Sequence, residues 1–109
     1  DYAYAIADLV ISRAGASSIS ELCLLSKPTI LVPSPNVAED HQTQNALALV
    51  RENAAVMIKD MDAKEALITK ALELIDNSEA LKELSTNIQK LAEKNSAERI
   101  ADEVIKLIN

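Results

Sequence analysis

Short, continuously apolar runs alternate with amphipathic stretches through the first half of the chain, and after Asp60 the apolar positions settle into a helical period. Leu9-Val10-Ile11, Thr29-Ile30-Leu31-Val32 and Ala54-Ala55-Val56-Met57-Ile58 are brief, rich in β-branched residues and bounded by polar residues or Pro, the pattern of strands buried on both faces. Ser18 to Leu25 and Asp40 to Arg51 lie between them and are long enough to be crossover helices, so the three strands are predicted to run parallel. Beyond Asp60, three sets of residues repeat the spacing of one helical face: Ile68, Ala71, Leu72 and Ile75; Leu81, Leu84, Ile88 and Leu91; Ala97, Ile100, Ala101, Val104 and Ile108. They predict three helices, each with one stripe toward the sheet, with Asp62, Ser78 and Ser96 as candidate N-caps and with breaks at Asn77-Ser78 and Lys94-Asn95.

The expected class is α/β: a three-stranded parallel sheet with flanking helices and a helical C-terminal half, residues 1–109 forming a single domain. No internal repeat, low-complexity tract or linker divides the chain. Doubly wound sheets usually carry five or six strands and bind ligands beyond the carboxyl ends of the strands, where strand order reverses. Three strands are half of such a sheet, and the Leu9–Ile11 strand is expected to present a bare inner edge.

Composition narrows the function. The chain has 109 residues, a formal charge of −6, two aromatics and no basic cluster, so it lacks both the phosphate attraction and the stacking platforms of a nucleic-acid binder. No apolar run approaches the roughly 20 residues of a membrane span, and no basic n-region marks a secretory signal. The absence of an initiator Met implies an excised piece of something longer. One His and one Cys cannot assemble a zinc site, no Walker motif or complete G-x-G-x-x-G is present, and no metal or cofactor is expected. Cys23, inside Leu22-Cys23-Leu24-Leu25, reads as a core thiol in a reducing compartment.

Two stretches carry candidate chemistry. Ser12-Arg13-Ala14-Gly15-Ala16-Ser17-Ser18-Ile19-Ser20-Glu21 holds the only Gly, follows a strand and opens a helix. Gly15 would permit a tight turn and close approach of a ligand, and the N–H groups of Ala16, Ser17 and Ser18 would face an anion such as a diphosphate. The competing reading is a capping box of Ser18 with Glu21. Glu21 suits the two hydroxyls of a ribose, or acts only on the helix dipole. In the second stretch, Pro33 to Asn45, His41 and Gln42 would meet sugar hydroxyls across the same crevice, or simply start a solvated helix. Arg13 would steady a phosphate or form an ion pair, and the Glu39-Asp40 carboxylates read as a solvated helix start.

The runs Ala7 to Leu22, Lys27-Pro28 with Ile30-Leu31-Val32-Pro33, His41-Gln42-Thr43-Gln44-Asn45-Ala46 and Ser96 to Ala101 closely resemble the C-terminal end of the MurG family of bacterial UDP-N-acetylglucosamine transferases. The resemblance implies a partial Rossmann-like fold, the second half of the donor-binding C-terminal domain of a GT-B enzyme. It implies that Glu21 holds the ribose, that Gly15 and the backbone of Ala16, Ser17 and Ser18 meet the diphosphate and sugar, and that His41 and Gln42 contact N-acetylglucosamine. Family members often have Gln at the position of His41, and a helix-ending Gly at the position of Ser26, where a Cβ in a left-handed cap costs about 1 kcal/mol. The implied reaction moves N-acetylglucosamine with inversion from UDP-N-acetylglucosamine to a lipid-linked muramyl-pentapeptide at the cytoplasmic membrane face. The acceptor would be held by an N-terminal domain outside this chain, so no catalytic residue is expected here and the fragment alone would be inactive. A non-catalytic subunit of a split transferase and a UDP-N-acetylglucosamine 2-epimerase relative are the alternative readings.

Overall fold

The computed structural model describes residues 3–6, 9–36 and 40–108, with side chains over 9–36 and 40–94. Strands β1 (Ala3–Ile6), β2 (Leu9–Ser12), β3 (Thr29–Leu31) and β4 (Val56–Met57) form one sheet in that order. β2, β3 and β4 are parallel, with Val10 beside Thr29 and Ile30 beside Val56. Helix α1 (Ala16–Leu25) joins β2 to β3 and α2 (His41–Arg51) joins β3 to β4, giving the two expected crossovers; α3 (Asp60–Ile75) and α4 (Ser78–Ile108) follow.

Alternation along the strands divides the core into two layers. Val10 and Leu31 pack with Leu22 and Cys23 of α1, Ala46 and Leu49 of α2, and Ile88 of α4. Leu9, Ile30 and Val32 point the other way, onto Ala71 and Leu74 of α3 and Leu84 of α4. Helix α4 thus enters both layers one turn apart. It also binds the segments entering β3 and β4: the Ser85 hydroxyl donates to the Ser26 carbonyl, Asn87 Nδ2 donates to the Asn53 carbonyl, and Asn53 donates to Glu83. The amino-terminal pole of the sheet is therefore closed by α4, opposite the carboxyl ends of the strands.

Four local expectations change. The inner edge of β2 is covered by antiparallel β1, Ala3 lying opposite Ser12 and Ile6 opposite Leu9, which satisfies backbone groups that a bare edge would leave unpaired. The break at Lys94-Asn95 and the cap at Ser96 do not occur, because α4 runs unbroken through a segment with neither Pro nor Gly, where Asn alone costs only a few tenths of a kcal/mol, about 0.7 at most. The side chains of the Ala97 to Ile108 stripe lie outside the described residues. Helix α3 begins at Asp60, before Asp62, which puts both acids in its first turn, and α4 is capped by Asn77, whose Oδ1 accepts from the Ala80 N–H at 3.1 Å, one residue before the expected Ser78.

The fourth change concerns which face of α3 is inward. Ala63, Ala66, Leu67, Ala71 and Leu74 pack on the sheet, whereas Ile68 and Leu72 are 69% and 57% exposed. Of the expected stripe, Ala71 is inward as its spacing required, while Ile68, Leu72 and the 41% exposed Ile75 lie off the inward face that Leu67 and Leu74 complete. The second stripe matches expectation: Leu84 and Ile88 are buried, with Leu81 and Leu91 packed beside them.

Ser26 ends α1 in the left-handed region at φ 54°, ψ 32°, its N–H donating to the Leu22 carbonyl at 3.1 Å. Its hydroxyl donates to the Cys23 carbonyl only at 3.4 Å. Ser26→Gly removes the Cβ penalty but frees the unfolded chain, and is expected to raise stability by about 0.5 kcal/mol, read as a later chemical-denaturation midpoint with an unchanged slope.

Candidate functional site

β2 and β3 are parallel neighbours, so the loops leaving their carboxyl ends emerge side by side. The ladder extends one step further through the Val32 N–H, which donates to the Ser12 carbonyl at 2.8 Å. The first loop, Arg13 to Gly15, leads directly into α1. Gly15 is buried and extended, at φ −66° and ψ 155°, a conformation open to any residue. The turn thus asks no left-handed glycine. What Gly15 supplies is the missing side chain at the foot of the helix, where a Cβ would occupy buried space.

Helix α1 begins at Ala16, with no side-chain hydrogen bond to its cap. The capping box is therefore excluded: Ser18 lies inside the first turn and Glu21 in the second. Ala16 and Ser17 are exposed and Ser18 partly so, leaving the first amides of α1 on an open surface with the positive end of the helix dipole. Glu21 is exposed about 7.5 Å along the axis from Ala16, and shares a side of the helix with Ser17 and Ser18 through i+4 and i+3 spacing.

The second loop runs from Val32 through Asn36 to Asp40; Glu39 of the carboxylate pair lies outside the described residues, and Asp40 is exposed at the helix start. His41, the first residue of α2, is exposed, while Gln42 turns inward and is only 4% exposed. Gln42 Oε1 accepts from the Ala14 N–H at 3.3 Å and from the Ser34 N–H at 2.9 Å, one atom joining both loops. Asn45, one turn later, donates from Nδ2 to the Ala14 carbonyl at 3.1 Å. Both backbone groups of Ala14 are thus held by α2, which fixes the residue before Gly15 and the approach to α1.

The structure brings Gln42 to the Gly15 loop and leaves Glu21 and His41 on exposed faces of two different helices. Asn45 was not singled out from the sequence as a site residue. Its signal was present: Gln42, Asn45, Ala46 and Leu49 share one helical face, so two amides stand among inward-facing apolar positions, where polar groups need partners.

Arg13 resolves as an ion pair. Its Nη1 lies 2.6 Å from Asp60 Oδ1, 3.3 Å from the Val32 carbonyl and 3.5 Å from that of Pro33. Asp60 is 47 residues away in sequence, beyond the reach of any local spacing rule. Beside this pair, Pro33, Ser34, Pro35, Thr43, Met57, Lys59 and Met61 border a cavity of about 230 Å³ at the same rim. Cys23 is buried, and its thiol is pushed above its ordinary range by desolvation, as befits a core side chain rather than a nucleophile. Among the described residues no group of acids, His and Cys could hold a metal ion. The rim offers anion-seeking amides, an exposed carboxylate that can accept from a diol, and an imidazole that can donate or accept.

Residues 1–103 match the profile of the glycosyltransferase family 28 C-terminal domain. Three curated relatives are named UDP-N-acetylglucosamine–N-acetylmuramyl-(pentapeptide) pyrophosphoryl-undecaprenol N-acetylglucosamine transferase. The chain is 65% identical to that of Parabacteroides distasonis over all of its own length and 30% of the relative's. It is 70% identical to that of Phocaeicola vulgatus over 96% of itself and 28% of the relative, and 61% identical to that of Porphyromonas gingivalis over 99% and 28%. The chain spans less than a third of the length of these relatives.

Proposed function

The chain belongs to the glycosyltransferase family 28 C-terminal domains, and from that premise we propose that it is one unit, residues 1–109, forming the second half of the donor-binding domain of an N-acetylglucosamine transferase. The donor is UDP-N-acetylglucosamine and the acceptor the lipid-linked muramyl-pentapeptide, held by a part of the protein beyond this chain at the cytoplasmic membrane face. No helix among the described residues is long and apolar enough to cross a membrane. The names of the relatives favour a transferase over an epimerase.

The observation that carries this reading is the uncapped amino terminus of α1, held at the carboxyl rim by Gln42 and Asn45. The amides of Ala16, Ser17 and Ser18 receive the diphosphate, and Glu21, about 7.5 Å further along α1, receives the ribose hydroxyls. His41 faces the hexose, and Gln42 contributes to the sugar pocket from its buried position. When the acceptor hydroxyl attacks the anomeric carbon, the bond to the diphosphate breaks and negative charge gathers on the leaving oxygen. Fixed amides at a helix terminus stabilise that charge without reorganising, and the two loops keep the donor aligned for in-line attack.

Hydrogen–deuterium exchange of the full-length polypeptide, with and without UDP-N-acetylglucosamine, tests the placement. Protection is expected over Gly15 to Glu21 and His41 to Gln44. Saturating donor that slows exchange only in other segments overturns it.

A further inference from the structure

We infer that Asp60 is a positioning residue for the sugar-nucleotide site, acting through Arg13; this rests on the donor-binding reading above. Arg13 stands between the end of β2 and the Gly15 turn. Of the three acceptors around its Nη1, the Val32 and Pro33 carbonyls are long contacts at 3.3 and 3.5 Å, whereas the Asp60 carboxylate at 2.6 Å is short and charge-assisted. Asp60 therefore sets where the guanidinium sits.

The guanidinium in turn belongs to a closed circuit of contacts. Arg13 touches the carbonyls of Val32 and Pro33; the next residue, Ser34, donates its N–H to Gln42; Gln42 also holds the N–H of Ala14, which is bonded covalently to Arg13. Each loop of the rim is thus fixed twice, once by α2 through neutral amides and once by α3 through Asp60. The pair is only partly exposed, with side chains 27% and 34% accessible, so it is neither a fully solvated surface pair nor a sealed one. Its position at the root of both loops gives it an effect on ligand geometry that its modest solvent-screened attraction would not suggest. The pair also engages the guanidinium, so that Arg13 is not a free cation at this rim.

The test uses the full-length transferase with UDP-N-acetylglucosamine and lipid-linked acceptor. Asp60→Asn keeps the size and removes the charge, and is expected to raise the donor KM about tenfold while the acceptor KM stays within about twofold of wild type. Asp60→Glu restores the charge and is expected to recover most of the donor KM. Adding Asp60→Asn to Arg13→Lys is expected to cost little beyond Arg13→Lys alone, the non-additivity of residues acting through one another. A donor KM within about twofold of wild type in Asp60→Asn overturns the inference, as does a parallel rise in both KM values with a lowered melting temperature, the mark of a general structural role. If Asp60→Asn fails to fold, Asp60→Glu decides: a folded enzyme with a donor-selective defect smaller than that of Arg13→Lys supports the positioning role, and equal defects toward both substrates overturn it. A wild-type enzyme indifferent to UDP-N-acetylglucosamine would instead remove the donor-binding reading on which all of this rests.

Discussion

Glu21→Ala in the full-length transferase is expected to lower kcat/KM for UDP-N-acetylglucosamine by about a hundredfold, with the melting temperature unchanged. Both halves of this expectation come from where Glu21 sits. It is exposed in the second turn of α1, makes no capping contact, and faces away from Leu22 and Cys23, so its removal opens no cavity. Its distance along the helix from the first amides suits a ribose attached to the diphosphate proposed to sit at Ala16 to Ser18. A carboxylate accepting from two hydroxyls makes charge-assisted bonds, and the alanine variant loses both. Glu21→Gln keeps an acceptor oxygen and is expected to fall between the two. Steady-state kinetics with varied donor at saturating acceptor measures the effect; a kcat/KM within about threefold of wild type removes Glu21 from the ribose.

Gln42→Ala is the second large effect, and it is one of stability as well as binding. Truncation deletes the shared acceptor of the Ala14 and Ser34 amides, leaving two donors at a site where Gln42 itself is almost wholly buried. An unsatisfied buried donor costs about 1–3 kcal/mol; the buried Ala14 N–H bears this in full and the part-buried Ser34 N–H bears a fraction, so the loss expected is roughly 2–4 kcal/mol. For a unit of this size each kcal/mol lowers the melting temperature by about 4 °C or more, giving a drop of the order of 10 °C. Gln42→Glu keeps the acceptor oxygen in place of a neutral amide and is expected to lose less. Differential scanning calorimetry distinguishes this from a pure ligand contact: an unchanged melting temperature in Gln42→Ala would mean that the loops do not depend on the amide.

Much of the scaffold was legible because short buried strands and amphipathic crossovers leave patterns within a few residues of one another. Leu9, Ile30 and Leu31 are fully buried where continuous apolar runs said strands should be, and Leu84 and Ile88 are inward as their spacing required. The inward face of α3 was read only in part because the helix carries apolar residues on more than one stripe. Ala71 is inward as its spacing required, but Ile68, Leu72 and Ile75 lie on a stripe beside the one that Ala63, Ala66, Leu67 and Leu74 form. β1 was missed because Ala3-Tyr4-Ala5-Ile6 is too short to announce a partner; its pairing is decided by the edge beside it.

The candidate site divides along the same line. Gly15, Glu21 and the His41-Gln42 pair were visible from type and position, since both loops follow strands and open helices. The capping box failed because α1 starts two residues before Ser18, a boundary set by Gly15 rather than by a side-chain cap. The burial of Gln42, its partnership with Asn45 and the link from Arg13 to Asp60 depend on how loops meet in space, which a linear spacing does not encode.

The joints made by Gln42 and Asn45 have one more consequence, because an amide side chain neither titrates nor attracts counterions. Acidification through the range where imidazole and carboxylates gain protons leaves those joints chemically unaltered, and concentrated electrolyte has no charge there to shield. The Arg13–Asp60 strut is ionic and is the member that brine weakens first. The rim therefore has a salt-tolerant half beside α2 and a salt-sensitive half beside α3, and rising ionic strength loosens the second while the first still holds Ala14 in place.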